Sequence, residues 1–366
     1  MTKDSCQSRR HLPCVFARAL GREKAARRNG VQMKIIVDAF GGDNAPLEVV
    51  KGCALAVQEY GIQIVLTGDE EIIKKVCAEH HISLQRMEIV HAPDVIAVEA
   101  DPTSIVKEHG ESSLAKGLKL LSEGEGDAFV SAGSTGALVV GSSLLVKRIK
   151  GIKRAALAPI IPSNTGCYML MDAGANLECR PEMLLQFGIM GSAYMNKILK
   201  ISSPRVGLLN VGAEDTKGTD LQKDAFGLLK NAPLHFTGNI EPRDVPFGEC
   251  EVVVCDGFSG NIVLKLTEGL ASAMMGNIKN ILYKNTLTKL AAASIKGGLM
   301  DFKKRMDYTE YGGAPLMGIA KPVIKAHGSS NANAFKNAIR QAKEFVEHDV
   351  IGEIQKSLDE LKKMEQ

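Results

Sequence analysis

Tryptophan is absent from these 366 residues, and Phe, Trp and Tyr together make up only 5%. A core drawn from such a chain must be filled by Val, Ile, Leu, Ala and Met rather than by stacked rings. No apolar run approaches the roughly 18 to 20 residues of a membrane-spanning helix. The eight cysteines form no CxxC pair and stand at no metal-ligand spacing from histidine, which argues against a metal site and for reduced thiols in a cytoplasmic protein. No GK[ST] follows a glycine-rich turn and no GxGxxG opens a helix, so nucleotide and dinucleotide binding receive little support.

What is present suits a soluble α/β enzyme. The chain is 45% hydrophobic and 24% charged, with 36 glycines for tight strand-to-helix turns. Its net charge of +3 is unevenly spread. Residues 1–32 hold eight Lys or Arg against Asp4 and Glu23, a balance of +6, which leaves −3 for the remainder. A mildly acidic body argues against broad nucleic-acid binding. The basic leader lacks apolar periodicity and reads as a disordered or extraneous extension, with an organellar transit peptide as the other reading. Met33 then opens the α/β domain, residues 33–366.

Apolar β-type runs alternate with helical ones, as in IIVDAF, residues 48–60, IQIVLTG, residues 70–80 and RMEIVHA. That alternation predicts βαβ units, hence a mostly parallel sheet flanked by helices, with two lobes accommodated by the length. DAFVSAG, AALAPII, CYMLMDAG, RVGLLNV and EVVVCDG supply further strands. Four of the runs break into Gly, Asp, Asn or Ser before a helix: at residues 35–46, 128–138, 207–220 and 252–261. Loops at the carboxyl ends of parallel strands face one way, so these predict a single small-molecule crevice.

The first break offers Asp38, Gly41, Gly42 and Asp43, and the second Gly133, Ser134, Thr135 and Gly136. Ser or Thr can cap the following helix, and glycine lets the backbone approach an anion. A plain capping turn is the simpler reading of the second break taken alone. Asn210, Glu214, Asp215 and Lys217 cluster in the third, where the lysine can neutralise a phosphate or an oxyanion. In the fourth, Asp256 either deprotonates or orients a phosphate hydroxyl or caps a helix over residues 261–270, with Asn261 beside it. Cys255 is read as a buried strand residue rather than a nucleophile. Near the end, HGSSN precedes a helix, with His327 beside Ser329 or Ser330 as its cap, in another candidate anion pocket.

Two surface features stand apart. KRIKGIKR presents Lys147, Arg148, Lys150, Lys153 and Arg154, either a docking patch for an acidic partner or a solvated helix end. Residues 284–306 read as an amphipathic hairpin. Leu287, Leu290 and Ile295 share one face, Gly297 and Gly298 break the helix, and Leu299 and Phe302 begin a second stripe among lysines. Such a hairpin rests on an anionic bilayer or packs against protein.

DAFGGDNAP, SAGSTGAL, RIKGIKRAALAP, DAGAN, LLNVGAEDTKG, GNIEPRD, VVVCDGFSGNIVLK, YGGAPLMG and KAHGSSNA, in that order, resemble the bacterial acyl-carrier-protein phosphate acyltransferases of the PlsX type. The resemblance runs from Met33 to about Val350, with Ser134 where the family has Asn and Pro242 where it has Gly or Ala. It implies a fold like isocitrate and isopropylmalate dehydrogenases and phosphate acetyltransferases. The implied reaction moves a long-chain acyl group from acyl-acyl carrier protein to inorganic phosphate, without cofactor or metal. Lys217 and Asp256 match positions that look catalytic in the family. The resemblance also implies a homodimer, cytoplasmic with peripheral contact to anionic membrane, partnered by acyl carrier protein and by the downstream glycerol-3-phosphate acyltransferase. Two readings from other classes compete: an NAD-dependent dehydrogenase, which a nicotinamide absorbance assay would reveal, and a noncatalytic membrane scaffold, which leaves the convergent loops unexplained.

Overall fold

The computed structural model describes residues 32–305 and 308–364. The basic leader, Gln32 aside, and Met306 lie outside them. From the amino end come β1 (Lys34–Asp38), α1 (Leu47–Tyr60), β2 (Gln63–Gly68), α2 (Glu70–Glu79), β3 (Met87–His91), α3 (Ser104–Lys107), α4 (Ser113–Glu123), β4 (Ala128–Ser131) and α5 (Thr135–Gly141). The middle holds β5 (Ala156–Leu157), β6 (Ile160–Ser163), β7 (Gly166–Met171), α6 (Pro181–Leu199), β8 (Arg205–Leu209), α7 (Asp220–Lys230), β9 (His235–Ile240) and β10 (Val252–Val254). Last come α8 (Gly257–Leu282), α9 (Thr286–Arg305), β11 (Ala314–Met317), β12 (Val323–Lys325), α10 (Ala332–Glu347) and α11 (Val350–Met364).

These strands form two sheets, ordered β3-β2-β1-β4-β12-β11-β5 and β6-β7-β10-β8-β9. β1 runs parallel to β2 and β4, and β10 parallel to β7 and β8. Among the described strands, antiparallel pairs join β11 to β12 and β5, and β6 to β7. The central strands β1 and β10 are buried on both faces, which is why they read as unbroken Ile and Val. The mostly parallel α/β expectation is met.

The run AALAPII does not form one strand. Pro159 cannot donate to a ladder and biases Ala158 away from regular geometry, so the chain leaves the first sheet after Leu157 and enters the second at Ile160. The two sheets are stitched there: Leu170 N–H donates to Pro159 O (3.0 Å) and Ala173 N–H to Leu157 O (2.8 Å). One contiguous apolar cluster spans both sheets, from Ile35 and Val37 through Met190 and Phe187 to Val252 and Val254. Fully burying each such side chain is worth about 1.5 to 3 kcal/mol. Among the largest buried groups, Tyr194 packs edge-on against Phe345 and accepts from Gln341 Nε2 (2.9 Å), so its hydroxyl is not stranded.

The hairpin protrudes, but its boundaries differ from the expectation. The helix expected over residues 261–270 is α8, which runs on to Leu282, and α9 is its second arm. Gly297 and Gly298 stay helical inside α9, since two glycines cost a helix only about 2 kcal/mol and Ala, Lys, Leu and Met surround them. The chain turns instead at residues 283–285, where Asn285 Oδ1 accepts from Thr288 N–H (2.9 Å) and Thr288 Oγ1 from Asn285 N–H (3.0 Å). Leu287, Leu290, Ile295 and Phe302 are exposed, and Leu299 is half-buried. A second stripe went unread: Phe258, Ile262, Leu266, Leu270 and Met274 recur every fourth residue on α8, all exposed. No helix among the described residues is long and apolar enough to cross a membrane.

Candidate active site

Three loops meet at the carboxyl ends of β1, β4 and β12. Asp38, the last residue of β1, is buried and accepts from Ser131 Oγ (2.7 Å) and from Phe40 N–H (3.1 Å). Ser131 Oγ in turn accepts from Gly133 N–H (3.0 Å), which shapes the turn before α5. Gly41 fits between them because it has no side chain: a Cβ there would lie 2.6 Å from Gly133 N and 2.7 Å from Asp38 Oδ2. Gly42 has φ of +101°, and a Cβ would meet Gly328 O at 2.9 Å.

The third loop closes from the other side. Asp43 N–H donates to Gly328 O (2.8 Å), Asn44 Nδ2 to Ser329 O (3.3 Å), and Ala332 N–H to Glu48 Oε2 (2.8 Å). His327 Nδ1 lies 2.9 Å from Ser329 Oγ. The expected cap is corrected: Asn331, not Ser329 or Ser330, starts α10 by accepting from Ala334 N–H (3.0 Å). The reason is register, since α10 begins at Ala332 and places Asn331 at the capping position. Ser134 does cap α5, accepting from Ala137 N–H (3.4 Å), and Thr135 and Gly136 follow in its first turn.

Lys325, at the end of β12, lies among these loops and was not singled out from the sequence. Its ammonium donates to Ala132 O (3.1 Å) and Ala326 O (2.6 Å). Burial pulls its pKa down to about 8, against the attraction of Asp38 and Asp43, and the charge of Lys265 on α8 lowers it further. Burial likewise raises Asp38, partly offset by hydrogen bonds from Ser113 and Ser131.

The second sheet carries its own polar ends. Asp256 caps α8, with Oδ1 accepting from Ser259 N–H (2.8 Å) and Oδ2 from Ser259 Oγ (2.9 Å), so the capping role read from the sequence is met. Asp172, also missed, is buried after β7 and accepts from the N–H groups of Leu157 (2.9 Å), Ala175 (3.1 Å) and Asn176 (2.7 Å). Burial raises its pKa despite those bonds. Asn176 O accepts from Gly257 N–H (2.8 Å), and Asn261 faces Gly174. Cys255 is buried one residue past the end of β10, its thiol pushed well up by burial and donating to Asp172 O (3.4 Å), which fits a buried structural residue just outside the strand.

Lys217 is exposed. Asn210, buried, bonds Lys217 O through Nδ2 (3.1 Å) and accepts from Val211 N–H (2.8 Å), so it shapes the loop that carries the lysine. Among the described residues no hydrogen bond or ion pair joins Lys217 to Asp256. The first-sheet loops are thus brought together, and the charge of Lys265 on α8 is felt there as a repulsion of Lys325. Of the basic patch, Arg148, Lys153 and Arg154 line a cavity of about 450 Å3 with Arg180 and Met183, while Lys147 and Lys150 are exposed outside that lining. No cluster of His, Cys, Asp or Glu among the described residues is arranged to hold a metal ion.

Glycine-rich loops gathered over the carboxyl ends of parallel strands, with a half-buried lysine among them, define the class: an α/β protein of mostly parallel sheets flanked by helices. Solved structures of that architecture include a phosphotransacetylase from Streptococcus pyogenes (TM-score 0.60, 18% identity, 88% of this chain and 95% of that one). A putative 4-hydroxythreonine-4-phosphate dehydrogenase from Salmonella typhimurium is similar at TM-score 0.50 and 12% identity, over 86% and 99% of the two chains. Residues 33–353 match the family model described as fatty acid synthesis protein. A phosphate acyltransferase of Alkaliphilus oremlandii is 47% identical over 90% of this chain and 98% of its own length. Another, from Thermoanaerobacterium thermosaccharolyticum, is 50% identical over 89% and 97%. The chain belongs to this phosphate acyltransferase family.

Proposed function

We propose that the protein transfers a long-chain acyl group from acyl-acyl carrier protein to inorganic phosphate, giving acyl phosphate for phospholipid synthesis. Family membership makes the chain an acyltransferase. One observation supports placing phosphate at the first sheet: the loops at residues 38–44, 131–136 and 327–332 converge around Lys325 with closely approaching backbone and a cation among them.

In the reaction, a phosphate oxygen attacks the thioester carbonyl carbon. The new C–O bond forms, the C–S bond breaks, and the carrier thiolate leaves with a proton from solvent or phosphate. Backbone N–H groups and Lys217 stabilise the tetrahedral oxyanion, Lys217 moving in on the loop that Asn210 shapes. Asp256 orients the phosphate, with Asn261 and the Gly133–Gly136 loop holding it. Asp38, Asp43, His327, Ser329 and Ser330 fix the loops rather than the acyl group.

The surfaces follow the same reading. Arg148, Lys150 and their neighbours steer an acidic carrier, the α8 stripe packs against a second copy in a homodimer, and Leu287, Leu290 and Ile295 rest on an anionic bilayer. Product delivered there is within reach of the downstream glycerol-3-phosphate acyltransferase, and the protein is cytoplasmic with peripheral membrane contact.

The test mixes purified protein with palmitoyl-acyl carrier protein, with and without inorganic phosphate, and follows carrier thiol alongside acyl phosphate. Phosphate-dependent thiol release with stoichiometric acyl phosphate is expected. Release without phosphate would make the protein a thioesterase, and no release at several chain lengths would overturn the reading.

A further inference from the structure

The cavity lined by Arg148, Lys153, Arg154, Arg180 and Met183 shares no lining residue with the loops around Lys325. Its walls are fastened. Ile149 N–H donates to Gly318 O (2.9 Å), and Ile149 and Ile152 are buried. From α6, Gln186 accepts from Lys153 N–H (2.8 Å) and donates to Gly151 O (2.9 Å). The Arg148 guanidinium donates to Lys153 O. Lys153 is ion-paired with Glu182 (3.3 Å), a carboxylate that Arg180 also attracts, whereas no ion pair within 4.0 Å is formed by Arg148 or Arg154 among the described residues. Arg148 and Arg154 come from this loop and Arg180 from the residue before α6, so guanidinium groups from two segments line one cavity, and guanidinium grips an oxyanion in bidentate fashion, phosphate above all.

The cavity is also close to the chemistry. Ala155, next to Arg154, accepts from Asn176 Nδ2 (2.7 Å), and Asn176 O accepts from the N–H of Gly257, next to Asp256 (2.8 Å). Two hydrogen bonds therefore separate the wall of the cavity from the cap of α8. At about 450 Å3 it has room for a phosphate together with the chain attached to it.

We propose that this cavity binds the phosphate of the phosphopantetheine arm on which a carrier protein bears its acyl group. It would hold the arm at its one fixed anion while the thioester at its far end reaches the crevice beside Asp256. The inference rests on the carrier-linked donor proposed above. Guanidinium groups from two segments around one opening favour a single phosphate over the row of carboxylates that an acidic helix would present.

Titration calorimetry on the full chain with 4′-phosphopantetheine and with pantetheine tests this without turnover. The phosphorylated ligand is expected to bind at least about tenfold more tightly, as a charge-assisted pair supplies. Arg154→Gln with Arg180→Gln should abolish that preference, and Arg154→Lys with Arg180→Lys should keep part of it. In the wild type the preference should shrink as salt rises, a readout that needs no variant. Equal binding of the two ligands, or a preference that survives the glutamine pair in a folded protein, overturns the proposal. So does inorganic phosphate that displaces the arm at equal concentration, since the cavity would then be a free-phosphate site. Arm binding without acyl phosphate formation would overturn the proposed reaction and leave this site standing. Turnover without the preference would overturn this site alone.

Discussion

The Lys325 ammonium donates to the main-chain carbonyl of Ala132 at 3.1 Å, tying the end of β12 to the loop after β4. A half-buried cation thus fixes the spacing of two loops that frame the candidate phosphate site. It carries a measurable pH signature. Burial holds its pKa near 8 against an ordinary value of 10.5. Between those values the unfolded chain binds the extra proton, so this group's contribution to stability rises with pH across the window and is lowest below 8. In thermal melts, the wild type should gain on Lys325→Met from pH 8 to 10.5; a constant difference would mean the lysine is not depressed.

Asp256 serves both as a helix cap and as the proposed phosphate-orienting group, and the two roles separate by substitution. Asparagine caps nearly as well as aspartate, so Asp256→Asn should change stability by only about 0.5 kcal/mol or less. Turnover at saturating substrate should nonetheless fall by about 100-fold or more, as when one electrostatic group is lost from an acyl-transfer site. Lys217→Ala should do the same with no stability change, because the side chain is exposed. Near-normal turnover in both variants would remove them from the mechanism.

Gly41→Ala puts a methyl group 2.6 Å from Gly133 N and 2.7 Å from Asp38 Oδ2, where backbone and a buried carboxylate cannot yield cheaply. Overpacking of that kind costs about 1 to 3 kcal/mol. The KM for phosphate should rise at least several-fold in enzyme that remains folded, as read from phosphate titrations; an unchanged KM would place phosphate elsewhere.

Cys255→Ala should keep turnover close to wild type, because the thiol is buried and held protonated. Its stability should drop by about 1 kcal/mol for the small cavity and the lost bond to Asp172 O. Loss of activity in a folded variant would revive a covalent acyl-enzyme route.

The two exposed stripes of the hairpin should respond differently to charge. Leu290→Glu is expected to abolish flotation with anionic liposomes and leave the oligomeric state alone. Leu266→Glu should convert a dimer to monomer in sedimentation. If both variants affect only sedimentation, α9 packs on protein rather than lipid.

Much of this was legible in the chain because β1, β4, β8 and β10 are apolar runs that end abruptly in Gly, Asp, Asn or Ser. Their alternation with helices implied the parallel sheets, and the breaks after β1 and β4 marked two of the three loops that meet over the first sheet. β11 and β12 escaped because they are short, and Pro315 within one and Pro322 just before the other look like loop signals. Lys325 was hidden with them: it opens KAHGSSNA, but only the neighbouring strand β4 makes it central. The α8 stripe was missed because the helix was expected only over residues 261–270, which left Phe258 in a loop before it and Met274 beyond it. Asp172 and the arginine cavity depend on segments that meet only in three dimensions, and no local pattern announces them.

α8 is capped by Asp256 and continues unbroken from Gly257 to Leu282. At 26 residues it is a rod about 39 Å long, with one end at the proposed chemistry and the other at the outer surface. Deleting a single residue between Leu270 and Leu282 would leave Asp256 and the crevice untouched while swinging the tip by about 100° around the rod axis. Length in this segment is therefore constrained by angle rather than by reach: changes of about seven or eleven residues, close to whole turns, keep the tip facing its surface, and changes of one or two do not.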